Sequence, residues 1–249
     1  MKVLVTAVLL VGMAASGQGQ QATAPMVTIS ANELAAMKAK LADWPQLGHY
    51  RADNAALPPP AAGENRVVFF GSSSTENWGH KYGSVFFPGK PYVNRGISGQ
   101  TTPQMLVRFQ QDVVALHPAA VVILGGTNDV AGNTGSMTLE MTEDNLRSMV
   151  VVAQANGIKV ILASQLPVVD FPWNKGTHPA AALMALSAWE KEYAAAHALE
   201  YVDYYSVLVG PDGQMREGLS VDGVHPTAKG YALMAPVVEA AIDKAIGRR

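Results

Sequence analysis

From residue 66 onward, short apolar runs rich in β-branched residues alternate with longer stretches in which apolar residues recur every three or four positions. The runs fall at residues 66–70, 91–93, 120–124, 159–163 and 200–202. Apart from Arg66, Lys159 and Glu200 at their starts, the runs are apolar, the pattern of a parallel strand covered on both faces. Between the runs the spacing predicts helices. Residues 103–116 carry Leu106, Phe109, Val113 and Leu116 on one face, and residues 140–156 stop at Gly157, a good helix terminator. Residues 180–197 carry Leu183, Leu186, Trp189 and Tyr193, and residues 227–246 close the pattern. Repeated strand-helix units predict an α/β fold, a parallel sheet with helices on both faces. Ligands of such sheets bind beyond the carboxyl ends of the strands. Chemistry is therefore expected in the segments that follow each strand.

The region before residue 66 has a different character. Residues 1–20 read as a secretory signal: Lys2 is followed by an apolar run over 3–15, small residues, and then polar Gln18, Gln20 and Gln21. The run is shorter than the ~20 apolar residues a bilayer span requires. A secreted or periplasmic protein without stable membrane insertion after signal removal is expected. Residues 21–65 read as a helical extension and Pro-rich linker. Ser30 and Glu33 fit a capping box, Leu34, Met37 and Leu41 follow at helical spacing, and Pro58-Pro59-Pro60 and Gly63 end it. Residues 66–249 are expected to form the functional domain.

Composition narrows the function. Apolar residues make up 49% of the chain and charged residues 15%, so a well-buried core is affordable and disorder is not expected. The net charge is −2 and no basic stripe occurs, which argues against a nucleic-acid partner and for a small molecule or an uncharged polymer. The absence of cysteine excludes disulfides, Cys-based zinc sites and a cysteine nucleophile.

Four segments could carry chemistry. After the first strand comes Gly71-Ser72-Ser73-Ser74-Thr75, where a serine can sit exposed at a tight strand-to-helix turn. After the second comes Asn94-Arg95-Gly96-Ile97-Ser98-Gly99-Gln100, in which a glycine can bring a backbone N–H close to a substrate oxygen. After the third comes Gly126-Thr127-Asn128-Asp129, with a side-chain amide at the mouth of the sheet. Each of these alone is more often a helix cap or a turn than a site. Near the C-terminus, Asp222-Gly223-Val224-His225-Pro226 sets an acid three residues before a histidine, which can fix the imidazole tautomer. The remaining histidines, His49, His80, His117, His178 and His197, read as surface or structural. A metal reading of Asp222 and His225 lacks a second ligand cluster.

In this order the four segments resemble the motif blocks of the SGNH hydrolase superfamily, the GDSL-like esterases and lipases, over residues 66–246. The resemblance implies a three-layer α/β/α sandwich of flavodoxin-like type with five parallel strands. It gives Ser73 the nucleophile position, His225 the general base and Asp222 its orienting acid, with Ser73, Gly99 and Asn128 as the oxyanion hole. No metal, nucleotide or redox cofactor is implied. Ser72 and Ser74 depart from the family's usual Asp and Ile beside the nucleophile, positions without a catalytic group.

Substrate is less constrained. The superfamily includes carbohydrate acetylesterases, lysophospholipases and thioesterases. Loop 166–179 carries Phe171, Trp173 and His178, and Phe171 and Trp173 are candidate pocket residues. A polar mouth formed by Ser73, Ser74, Thr75, Asn94 and Gln100, with no apolar insertion to act as a lid, suggests short acyl groups on small or carbohydrate esters. A longer-chain acyl hydrolase, a flavodoxin-like binding protein and a catalytically inactive glycan-binding relative are the alternatives.

Overall fold

The computed structural model describes residues 28–248. The chain divides into two compact units, one ending at Trp44 and one beginning at Pro45. The described part of the first is helix α1 (Ala31–Ala42). The Ser30 hydroxyl accepts from the Glu33 N–H, and the Glu33 carboxylate accepts from the Ser30 N–H. This reciprocal cap satisfies donors that a helix start otherwise leaves open. Along the expected apolar stripe Leu34 is half-buried, whereas Met37 and Leu41 are exposed. The expected secretory signal, residues 1–20, lies outside the described residues.

The second unit is built on strands β1 (Val67–Gly71), β2 (Tyr92–Gly96), β3 (Ala120–Leu124), β4 (Lys159–Ala163) and β5 (Glu200–Val202). They form one five-stranded sheet in the order β2-β1-β3-β4-β5, with every pairing parallel. Alternate side chains feed two cores. Val67, Phe69, Val122 and Ile161 pack against Met234, Val238 and Ile242 of α9 (Ala228–Ala245). Val68, Phe70, Val121, Ile123 and Leu162 pack against the opposite layer. That layer holds α4 (Thr102–Asp112), α6 (Leu139–Ala155) and α7 (Ala180–Ala196), which contribute Met105, Phe109, Leu146, Met149 and Leu186. The result is a three-layer α/β/α sandwich. Burial on both faces is why β1 and β3 read as continuous apolar runs rather than alternating ones, whereas β2 carries the buried polar residues Asn94 and Arg95.

The sheet order locates the crevice. The chain leaves β1 for β2 on one side and then crosses back to β3 on the other. Connections after β1 and β3 therefore diverge, opening a crevice at their carboxyl ends.

Short elements depart from the periodic reading. Four helices of one or two turns, α2 (Arg51–Ala56), α3 (Ser73–Glu76), α5 (Thr127–Val130) and α8 (Tyr204–Leu208), are too brief to show a period. The helix expected over 103–116 ends its α geometry at Asp112, and Val114–Leu116 is a 3₁₀ turn. His117 stops it in a left-handed conformation (φ 50°) ahead of Pro118, which disfavours the helical region for the residue before it. Upstream of β1, the Tyr50 hydroxyl donates to the Gly96 carbonyl. Asn54 Nδ2 donates to Asp112 Oδ1 (2.7 Å) and Arg66 donates to the Pro58 carbonyl (2.8 Å). The stretch from Pro45 to the first strand is thus fastened to β2 and α4. Among the described residues no helix is long and apolar enough to cross a membrane.

Candidate active site

The crevice collects the expected residues from separate elements. Ser73 is the first residue of α3, directly after β1; Gly99 lies in the turn between β2 and α4; Asn128 lies in α5, after β3; His225 lies in the loop that leads into α9. The close fit of these turns depends on glycine. A Cβ on Gly96, at the end of β2, would lie 2.1 Å from the Glu76 backbone nitrogen of α3.

Ser73, His225 and Asp222 form one hydrogen-bonded chain. His225 Nε2 and Ser73 Oγ are 2.8 Å apart, and His225 Nδ1 and Asp222 Oδ2 are 2.7 Å apart. An ionised carboxylate can only accept, so Nδ1 carries the proton and Nε2 turns its lone pair to the Ser73 hydroxyl. Asp222 Oδ1 accepts the N–H groups of His225 (2.8 Å) and Val224 (3.0 Å). Burial disfavours the Asp222 charge, but the hydrogen bonds from the His225 ring and from these two N–H groups outweigh it. They hold the carboxyl below its ordinary range. The loop is itself braced. Ser220 Oγ accepts the Gly223 N–H (2.8 Å) and donates to the His225 carbonyl (3.0 Å). Tyr231 of α9 donates to the Ser74 carbonyl (2.8 Å), tying the helix after His225 to the helix that begins at Ser73.

The other side of Ser73 offers hydrogen-bond donors. Among the described residues neither the Ser73 nor the Gly99 backbone N–H has an acceptor. Gly99 has φ +78°, a conformation that glycine adopts without strain. Asn128 is 3% exposed, and its Nδ2 donates to the Gln100 carbonyl at 2.9 Å, which leaves its second amide hydrogen unassigned.

Beneath these turns lies a residue that the periodic reading did not single out. Arg108 of α4 is fully buried, with its guanidinium paired to Asp112 (3.1 Å). It donates to the carbonyls of Gly71 (2.9 Å) and Arg95 (2.9 Å) and to the Gln100 side chain. It thereby joins the ends of β1 and β2 to the Gly99 turn. The available signal was an Arg and Asp at i, i+4 on the same helix face as Met105 and Phe109. Gln165, after β4, plays a similar part for the third turn: it donates to the Gly125 carbonyl (2.8 Å) and accepts from the Thr127 hydroxyl (2.9 Å).

The expected mouth is only partly as read. Asn94 and Gln100 are buried and committed: Asn94 Nδ2 donates to the Thr75 and Trp78 carbonyls, and Gln100 Nε2 to the Pro45 carbonyl. Thr75 is buried too. Polar side chains beside tight turns were needed to satisfy backbone groups, so they do not form a rim. Phe171 is likewise not an open pocket wall. It is fully buried in a cluster with Ala131, Val168, Leu183 and Val224. Trp173 stacks on it (ring centroids 5.1 Å apart, planes 28°), remains 47% exposed and lies 6.3 Å from the His225 ring. Of the other histidines, His49 approaches Glu76 at 3.7 Å, and His80, His178 and His197 are exposed. No cluster of three or more His, Asp or Glu groups suited to a metal ion occurs among the described residues.

The family model of GDSL-like lipases and acylhydrolases matches residues 61–233. The chain belongs to this family. The crystal structure of a GDSL-like lipase from Bacteroides thetaiotaomicron is 43% identical in sequence, with a TM-score of 0.76 over 81% of this chain and 98% of that one. The acetylxylan esterase of Xylanibacter ruminicola is 25% identical over 222 residues, 75% of this chain and 45% of the relative. The esterase TesA of Pseudomonas aeruginosa is 30% identical over 135 residues, 54% of this chain and 60% of the relative. The chain thus spans about half the length of the curated relatives it matches.

Proposed function

We propose that the protein is a serine carboxylic-ester hydrolase that releases short acyl groups, acetyl foremost, from carbohydrate or other small esters. The observation that carries this reading is the continuous Ser73–His225–Asp222 hydrogen-bonded chain at 2.8 and 2.7 Å. His225 takes the proton as Ser73 Oγ attacks the ester carbonyl, and Asp222 stabilises the imidazolium that forms. Negative charge on the carbonyl oxygen is held by the Ser73 and Gly99 N–H groups and the spare hydrogen of Asn128. His225 then gives its proton to the leaving alcohol, and a water activated by His225 releases the acyl group from Ser73. The leaving alcohol must sit beside His225 Nε2 to receive that proton. Trp173 flanks the same ring, and an exposed indole braced by Phe171 suits the apolar face of a sugar. The name of the Xylanibacter relative, an acetylxylan esterase, agrees with an acetylated carbohydrate. Export through the signal read in residues 1–20 is part of the same proposal, since a polymeric substrate would be met outside the cell.

The test is kcat/KM on p-nitrophenyl esters from acetate to palmitate, together with acetylated xylo-oligosaccharides. An optimum at acetate to butyrate, with turnover of the acetylated sugar, supports the reading. An optimum at decanoate or longer would replace it with a long-chain acyl hydrolase, and no turnover of any ester would favour an inactive glycan binder.

A further inference from the structure

Asn133 lies in the exposed turn that follows α5. Its Nδ2 donates to the Gly99 carbonyl (3.1 Å) and to Asn128 Oδ1 (3.0 Å), and its backbone N–H donates to the Asn128 carbonyl (3.1 Å). One side-chain amide therefore spends both hydrogens on the two residues read as oxyanion donors beyond Ser73. The orientation of both amides follows from backbone carbonyls. Gly99 O can only accept, so Asn133 must present Nδ2 to it. Gln100 O can only accept, so Asn128 must present Nδ2 to that carbonyl and turn Oδ1 toward Asn133. The remaining Nδ2 hydrogen of Asn128 is then fixed in direction.

Gly99 is held from both sides. The Ser98 N–H donates to Glu76 Oε2 at 2.9 Å, and the Ser98 hydroxyl donates to the same oxygen. Asn133 pins the carbonyl on the far side. The peptide that bears the Gly99 N–H is thus bracketed by two fixed neighbours, at a residue with no side chain of its own to hold it. The Asn133 turn is anchored in its own right: the hydroxyls of Thr134 and Thr101 lie 2.9 Å apart, at the residue that caps α4.

We propose that Asn133 is a positioning residue that aims the Gly99 N–H and the Asn128 amide together, while touching no reacting atom itself. Donors aimed in advance are worth more in the transition state than donors that must reorient. The proposal rests on the reading of Ser73 as nucleophile and of Gly99 and Asn128 as oxyanion donors.

The experiment is steady-state kinetics on p-nitrophenyl acetate with N133A, N133D, N128A, S73A and the N128A/N133A double variant, each checked by thermal melting. N133A should lose roughly 10–30-fold in kcat with KM within about twofold, because both donors survive but are no longer aimed. Its Tm should stay within about 1–2 °C of wild type, since the residue is exposed. N133D presents only acceptors to Gly99 O and Asn128 Oδ1 and adds negative charge, so it should lose on the order of 100-fold or more. In the N128A background N133A should cost only about threefold, because only the Gly99 half of its role remains. Wild-type kcat in N133A, a change confined to KM, full multiplication of the two losses in the double variant, or a joint collapse of Tm and kcat would each overturn the proposal. If S73A kept its activity, the underlying reading would fail instead; if S73A were dead and N128A slow while N133A behaved as wild type, only this inference would fail.

Discussion

Replacing Arg108 with Met tests how the crevice is supported. Met keeps an unbranched apolar chain as far as the Nε position but removes the guanidinium, whose carbon sits 4.1 Å from the Phe70 ring centroid, and with it the charge and every donor. Burial pushes the guanidinium pKa down to about 10, with Asp112 opposing that shift, so it remains protonated at neutral pH. The Gly71 carbonyl would keep the Ile97 N–H at 3.1 Å, and Asp112 would keep amide donors from Asn54 and Gln111. The Arg95 carbonyl and Gln100 Oε1 would each lose a donor, and the largest cost is the Asp112 carboxylate, fully buried and left without its cation. Breaking such a pair by removing one partner costs about 3–5 kcal/mol. For a domain of this size that corresponds to a drop of roughly 6–20 °C in Tm. The assay is urea and thermal unfolding of wild type, R108M, D112N and R108M/D112N. The double variant should lose less than the two single losses added, because neither charge remains to be stranded. A loss below ~1 kcal/mol in R108M, or strict additivity in the double variant, would refute this reasoning.

Asn128→Ala should lower kcat by ~10²–10³ with little effect on KM, as expected for a donor used in the transition state, and steady-state kinetics on p-nitrophenyl acetate checks it. Asp222→Asn should cost most of the activity, because an amide can present a donor where His225 Nδ1–H needs an acceptor. Stability should fall in acid: hydrogen bonds hold the Asp222 carboxyl below its usual range, so they stabilise the fold above that range and are lost as pH falls through the lowered value. Urea unfolding over a pH series checks this, and an acid loss in D222N equal to that of wild type would contradict it. Trp173→Ala should raise KM for acetylated xylo-oligosaccharides severalfold while leaving p-nitrophenyl acetate nearly unchanged, and equal effects on both would remove the indole from the leaving-group side.

What could be read from the chain in advance follows from which signals survive without coordinates. Strands β3, β4 and β5 were legible to the residue: β3 is an apolar run buried throughout, and β4 and β5 each begin at a charged residue, Lys159 and Glu200, that marks the edge of the apolar run after it. The Ser73, Gly99, Asn128 and His225 segments were legible because each follows a strand or sits in a Gly/Pro turn and the four fall in a known order. Strand order was not legible, since periodicity says nothing of which strand lies beside which. Arg108 was not picked out because hydropathy assigns a guanidinium to solvent, and only its carbonyl and carboxylate partners make burial tolerable. Asn94 and Gln100 were taken for a polar rim for the related reason that a side chain satisfying backbone groups looks, in sequence, like one facing water. Asn133 sits five residues beyond Asn128 in a Gly-flanked turn that carries no motif, and its role depends on a contact with Gly99 that only the fold creates.

The most direct test of the account is covalent labelling of the full chain with a fluorophosphonate, read by intact mass and peptide mapping in wild type and S73A. The account predicts one adduct, on Ser73, formed with loss of esterase activity. In S73A it predicts no adduct and no hydrolysis, with an unchanged circular dichroism spectrum. An adduct on another serine, or near wild-type hydrolysis in a folded S73A, would contradict it.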